Sequence, residues 1–168
     1  MSDRLPYADP GYTPARSEIE TCVIDLINAS EEQVALIERA LGRAGKSAAE
    51  RACAHLEAAE AGARVRLLRL IGRIVRQSPS PELLQTLCSH LSDADERVQR
   101  ASIVCLGKLR EPGIEEALLD YAAREHAAPE YHALIEALGK VGGSSAAQWL
   151  ASQSSDDELP RDCSNARA

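Results

Sequence analysis

Phenylalanine is absent from this chain, tryptophan occurs once and tyrosine four times. A core without large rings has to come from Leu, Ile, Val and Ala, which favours helix packed on helix over a sheet sandwich. No apolar run approaches the roughly 18 residues a membrane-spanning helix needs, so no membrane partner is expected. Basic residues are outnumbered, 19 Lys and Arg against 26 Asp and Glu, giving a net charge of -7. That balance disfavours general binding to nucleic acid or anionic lipid. The leading "MSDRLPYADPGYTPARS" lacks a hydrophobic segment and reads as no secretory signal, so a cytoplasmic location is expected. The five cysteines, Cys22, Cys53, Cys88, Cys105 and Cys163, then read as free thiols. An odd number could not pair fully within one chain.

Chemical motifs are also scarce. There is no Gly-rich phosphate loop, no Gly-x-Ser-x-Gly and no His-Glu-x-x-His. Cys53-Ala-His55 and Cys88-Ser-His90 look like metal ligands, but residues two apart on a helix point about 200° apart. They read as repeated packing, with Cys inside and His at the edge. His126 and His132 flank Pro129 and read as surface residues. Trp149 reads as the residue that closes the end of the core. No catalytic residue, metal or cofactor is expected.

What the chain does have is repetition. "QVALIERALGRAG", "RVRLLRLIGRIV", "RVQRASIVCLGKL" and "EYHALIEALGKVG" each end an amphipathic run in Leu-Gly or Ile-Gly. The marker glycines Gly42, Gly72, Gly107 and Gly139 are spaced by 30, 35 and 32 residues, as in stacked helical hairpins. Each reads as a helix cap or a place where the next helix comes close. Ser17 with Glu20, and Ser30 with Gln33, read as capping boxes, and Pro81 and Pro129 mark further helix starts. The apolar period predicts helices near 18–28, 31–43, 47–61, 63–77, 81–91, 95–110, 114–125, 129–141 and 144–152, with no strand. Residues 1–16 read as an irregular arm carrying Tyr7 and Tyr12, 17–152 as the repeat domain, and 153–168 as a polar tail or linker.

The segment "DADERVQRASIVCLGKL", Asp93 to Leu109, resembles the HEAT-like repeat of phycobilisome bilin lyases. Asp93, Asp95, Val98, Arg100, Ala101, Leu106 and Gly107 fit that pattern, with the arginine one place late because Gln99 holds its slot. The other repeats share the apolar stripe and the terminal Leu/Ile-Gly; only the fourth keeps the small residue, at Ala133, where the first two have Leu36 and Arg66. The resemblance spans about residues 30–152. It implies an all-α fold, a right-handed α-α superhelix of about four HEAT-like hairpins preceded by a leading helix. It also implies that Asp93, Asp95 and Arg100 form a ladder between repeats. Such arrays serve many tasks. The resemblance leaves open a bilin-lyase-type protein, or the recognition domain of a larger enzyme such as an RNA methyltransferase-like one.

Five arginines and no acid fall within "RVRLLRLIGRIVR", residues 64–76. At helical pitch Arg66, Arg69, Arg73 and Arg76 share an arc of about 80°. That stripe could hold phosphates or an acidic peptide. Glu50, Glu57 and Glu60 on the preceding helix form an opposite stripe that could pair with it instead. The expected function is a non-catalytic protein-binding scaffold. Its partner would be a protein segment, preferably acidic, with nucleic acid admitted only through the arginines.

Overall fold

In the computed structural model, residues 6–75, 79–109, 111, 113–124 and 128–155 are described. They form α1 (Ile19–Asn28), α2 (Glu31–Ala44), α3 (Lys46–His55), α4 (Ala61–Ile74), α5 (Pro81–Ser89), α6 (Glu96–Leu109), α7 (Ile114–Ala122), α8 (Ala128–Val141) and α9 (Ser144–Ser155). Short 3-10 turns cover Pro6–Ala8 and His90–Ser92, and no strand occurs among the described residues. None of these helices is long and apolar enough to cross a membrane.

Local chemistry accounts for several helix starts. Gln33 Oε1 accepts from the Ser30 N–H at 3.1 Å, within the expected capping box. Ser80 Oγ accepts from the Leu83 N–H at 3.2 Å, with Pro81 in the first turn where its missing N–H costs nothing. The Ser17–Glu20 box does not form. Glu18 is the N-cap of α1, its carboxylate takes the Ala15 N–H at 2.8 Å, and Glu20 reaches across to His55 instead. α3 stops at His55, short of the expected 61. Leu56 is fully buried at the turn, and Glu60 adopts extended backbone to start α4.

The helices alternate between two layers. Of its two neighbours in sequence, each glycine-marked helix packs more extensively on the one before it: α2 on α1, α4 on α3, α6 on α5 and its 3-10 turn, α8 on α7. By this pairing the extra helix is α9, which packs on both α7 and α8, rather than a leading α1. The reason is visible at Gly45, the lone residue between α2 and α3, with φ of 66°. A one-residue link turns a corner and cannot fold α3 back along α2 as a two- to five-residue loop would.

α4, α6 and α8 stand side by side, more tightly than α3, α5 and α7 do. A Cβ on Gly72 would lie 3.3 Å from Cys105 Cα, and one on Gly107 would lie 2.7 Å from Ala137 Cα. These glycines are the places where consecutive repeats touch. A stack with one layer closer than the other bends toward the close layer, so α4, α6 and α8 line the inner side. Leu67, Leu68, Leu70, Ile71, Ile103, Leu106, Leu134 and Leu138 fill the space between layers. The arm is tied down by Tyr7, whose hydroxyl donates to Asp25 and lies 3.5 Å from Cys22 Sγ. Burial, then the Asp25 hydrogen bond, holds that phenol above its ordinary range.

Candidate functional site

The inner side of α4 and α6 carries a cleft of about 610 Å³. Gly62, Val65, Arg66 and Arg69 line it from α4; Arg97, Arg100, Ala101, Val104 and Lys108 line it from α6. On each helix these residues recur at three- and four-residue steps, which places them on one face. Cys105 and Leu68 lie beneath, both buried. Burial pushes the Cys105 thiol up to about 12, so it is an inert apolar surface rather than a nucleophile.

The arginines of α4 have different roles. Arg66 folds over the end of α1: its Nη1 donates to the carbonyl of Ala29 at 2.8 Å and of Ile27 at 3.3 Å, and its Nη2 donates to Glu31 at 3.1 Å. Those carbonyls are among the acceptors a helix end leaves unsatisfied. Arg73 pairs with Glu38 on α2 at 2.9 Å. Arg64, outside the expected stripe, pairs with Asp93. The acids of α3 that could have neutralised the stripe do not: Glu50 pairs with Lys46 within its own helix, and Glu57 and Glu60 lie in the turn beyond it. Arg69 is exposed and has no hydrogen bond or ion pair among the described residues. Arg76 lies outside the described residues.

The expected inter-repeat ladder also divides. Asp93, its side chain 3% exposed, takes the Arg64 guanidinium of the neighbouring repeat and sits 3.3 Å from His90 Nδ1. Asp95 serves its own helix: Oδ1 accepts the Arg97 N–H at 2.9 Å and Oδ2 accepts from Arg97 Nη2 at 2.7 Å. The Arg97 guanidinium holds the Asp95 carboxyl down to about 2. Arg100 takes no part in a ladder. It is exposed, without a partner among the described residues, and lines the same cleft as Arg69. Lys108 likewise makes no ion pair among the described residues and acts at a distance on Glu136 and Cys105.

The cleft's cations therefore fall into two sets. Arg66 and Arg97 are neutralised by Glu31 and Asp95. Arg69, Arg100 and Lys108 are not paired among the described residues. The α6 members were missed in the sequence because Arg97, Arg100 and Lys108 are interleaved with Glu96, Gln99 and apolar residues. Their shared face would have emerged from the helical projection that identified the α4 stripe.

The Cys-x-His pairs are reversed from the expected packing at one position. His90 is buried on Asp93 while Cys88 is only partly covered. His55 is partly exposed and lies 2.8 Å from Glu20. No group of His, Cys, Asp and Glu among the described residues could hold a metal ion. His132 is exposed; His126 and Cys163 lie outside the described residues. Trp149 of α9 rests on Tyr131 of α8, ring centroids 6.0 Å apart.

No curated protein matches this chain. Residues 49–136, from α3 into α8, match the family model described as HEAT repeats. With more than half of the chain inside that match, and its helices packed as neighbouring pairs, the chain belongs to the HEAT-repeat family.

Proposed function

We propose that this chain is a non-catalytic scaffold and that its α4–α6 cleft binds an acidic segment of a partner protein. One observation carries the reading: two exposed guanidiniums, Arg69 and Arg100, line one cleft from neighbouring helices, without a partner among the described residues, in a protein of net charge -7. Unneutralised cations beside an apolar floor attract an anionic chain and steer it in. The scarcity of rings beside the cleft, which has no aromatic among its lining residues, disfavours stacking of nucleic-acid bases.

Selection of displayed random dodecapeptides tests this. The native chain should enrich Asp- and Glu-rich sequences with interspersed apolar residues. The double variant Arg69→Glu, Arg100→Glu should lose that enrichment while keeping its helical circular dichroism. Equal enrichment by both proteins would sink the proposal, and so would preferential capture of a labelled single-stranded RNA.

A further inference from the structure

The remaining question is which anion this cleft is built for. Resting on the reading of the cleft as an acidic-segment site, we infer that its centre recognises one phosphorylated serine or threonine in the partner segment.

Most cations near the cleft already have a carboxylate. Arg66 has Glu31, Arg73 has Glu38, Arg64 has Asp93 and Arg97 has Asp95. Positive charge is consequently not spread along the groove as a run of acids would require. It is concentrated at Arg69 and Arg100, with Lys108 further along α6. A single carboxylate has two oxygens in one plane and accepts one guanidinium fork bidentately, leaving only single outer lone pairs for a second arginine. A phosphate carries about -1.5 to -2 charge at neutral pH and three acceptor oxygens, so it can take forks from two helices at once. The acid in the cleft, Glu31, is held by Arg66 and does not compete for Arg69 or Arg100.

The walls supply the rest of the ligand. Val65 on α4, and Ala101 and Val104 on α6, present apolar surface beside the two arginines. A phosphorylated residue flanked by small or medium apolar residues matches them. An isolated phosphate would leave that surface bare. The occupant is thus a phosphorylated protein segment rather than a free anion.

The test uses three labelled degenerate peptide libraries, identical except for serine, phosphoserine or glutamate at the fixed centre. Each is passed over the full chain and over Arg69→Gln, Arg100→Gln and Arg69→Lys. Neither arginine has a partner among the described residues, so these variants should keep the native melting temperature, which is checked first. The phosphoserine library should be retained about tenfold better than the glutamate library, as expected for loss of a doubly forked contact. Either Gln variant should abolish that preference. Arg69→Lys should reduce it while retaining residual binding, because the charge stays and the fork is lost. Equal retention of phosphoserine and glutamate would overturn this inference and leave the acidic-segment reading standing. Retention of neither would overturn both. A phosphoserine preference unmoved by the Gln variants would place the site elsewhere and also overturn it. Inorganic phosphate should fail to displace the retained peptides at equal concentration; full displacement would show that the flanking apolar contacts contribute nothing and would overturn the choice of a protein segment.

Discussion

Replacing the four marker glycines by alanine, one at a time, should split them by sign. Each lies within an α-helix, and none has a positive φ. Alanine is therefore favoured at each by up to about 1 kcal/mol from helix propensity alone. What differs is the space beyond. Around Gly42 and Gly139 an added Cβ meets nothing within 4 Å. Gly42→Ala and Gly139→Ala should stabilise the protein by about 0.5–1 kcal/mol. At Gly107 the new methyl would lie 2.7 Å from Ala137 Cα and 2.8 Å from its Cβ. The obstacle is backbone, so α6 and α8 must part. Overpacking of that kind costs about 1–3 kcal/mol, which offsets the propensity gain of up to about 1 kcal/mol and leaves a net loss of up to about 2 kcal/mol. Gly72→Ala meets Cys105 Cα and Sγ at 3.3 Å, and the two effects should nearly cancel. Thermal melts followed by circular dichroism read the result, with about 2–4 °C per kcal/mol expected for a chain of this size. A Gly107→Ala protein that melts as high as Gly42→Ala would refute the close approach of α6 and α8, and with it the account of how successive repeats touch.

Other substitutions probe the polar joints. Arg66→Met should cost about 1–2 kcal/mol in urea unfolding by uncapping the end of α1, although the residue looks like a surface arginine. Arg69→Met should change stability by less than about 0.5 kcal/mol, as expected where no partner is lost. Asp93→Ala should be the most damaging of the set, about 2–4 kcal/mol, because it leaves half-buried Arg64 and buried His90 without their acceptor; a loss below about 1 kcal/mol would refute the joint. Cys105 adds a pH dependence: its thiol, ordinarily at 9.0, is pushed up to about 12 by burial. The unfolded thiol ionises first, so this contribution to stability is whole below about pH 9 and is lost as pH rises toward 12. Unfolding free energy should therefore fall over that range, less steeply in Cys105→Ala, and iodoacetamide should label Cys53 and Cys88 before Cys105.

Much of the architecture was legible in advance because amphipathic period, capping residues and repeat spacing are properties of neighbouring residues. The starts of α2, α5 and α7 fall where Ser30, Pro81 and the Ile114 run put them. The failures were of another kind. Helix α3 looks continuous to 61 in "ERACAHLEAAEA" because Ala and Glu are good helix formers; burial of Leu56 at the turn overrides that weak preference. The arginine stripe was visible as a face, but its partners were assigned to the wrong helix. Proximity in sequence pointed to α3, whereas the acids that answer it stand on α2 and at Asp93, 29 to 35 residues away from their arginines.

Composition and periodicity by themselves determined an all-α repeat protein with an aliphatic core and a net acidic surface. Those are sums and short-range patterns, and no packing is needed to read them. The state of each arginine was decided only by the tertiary structure. Arg64, Arg66, Arg69 and Arg73 share one helix and one chemistry. Yet one is half-buried against Asp93, one caps α1, one pairs with Glu38 and one lines a cleft with Arg100, without a partner among the described residues. A side chain's charge belongs to the sequence, whereas its neutralisation depends on which helices the fold brings within reach.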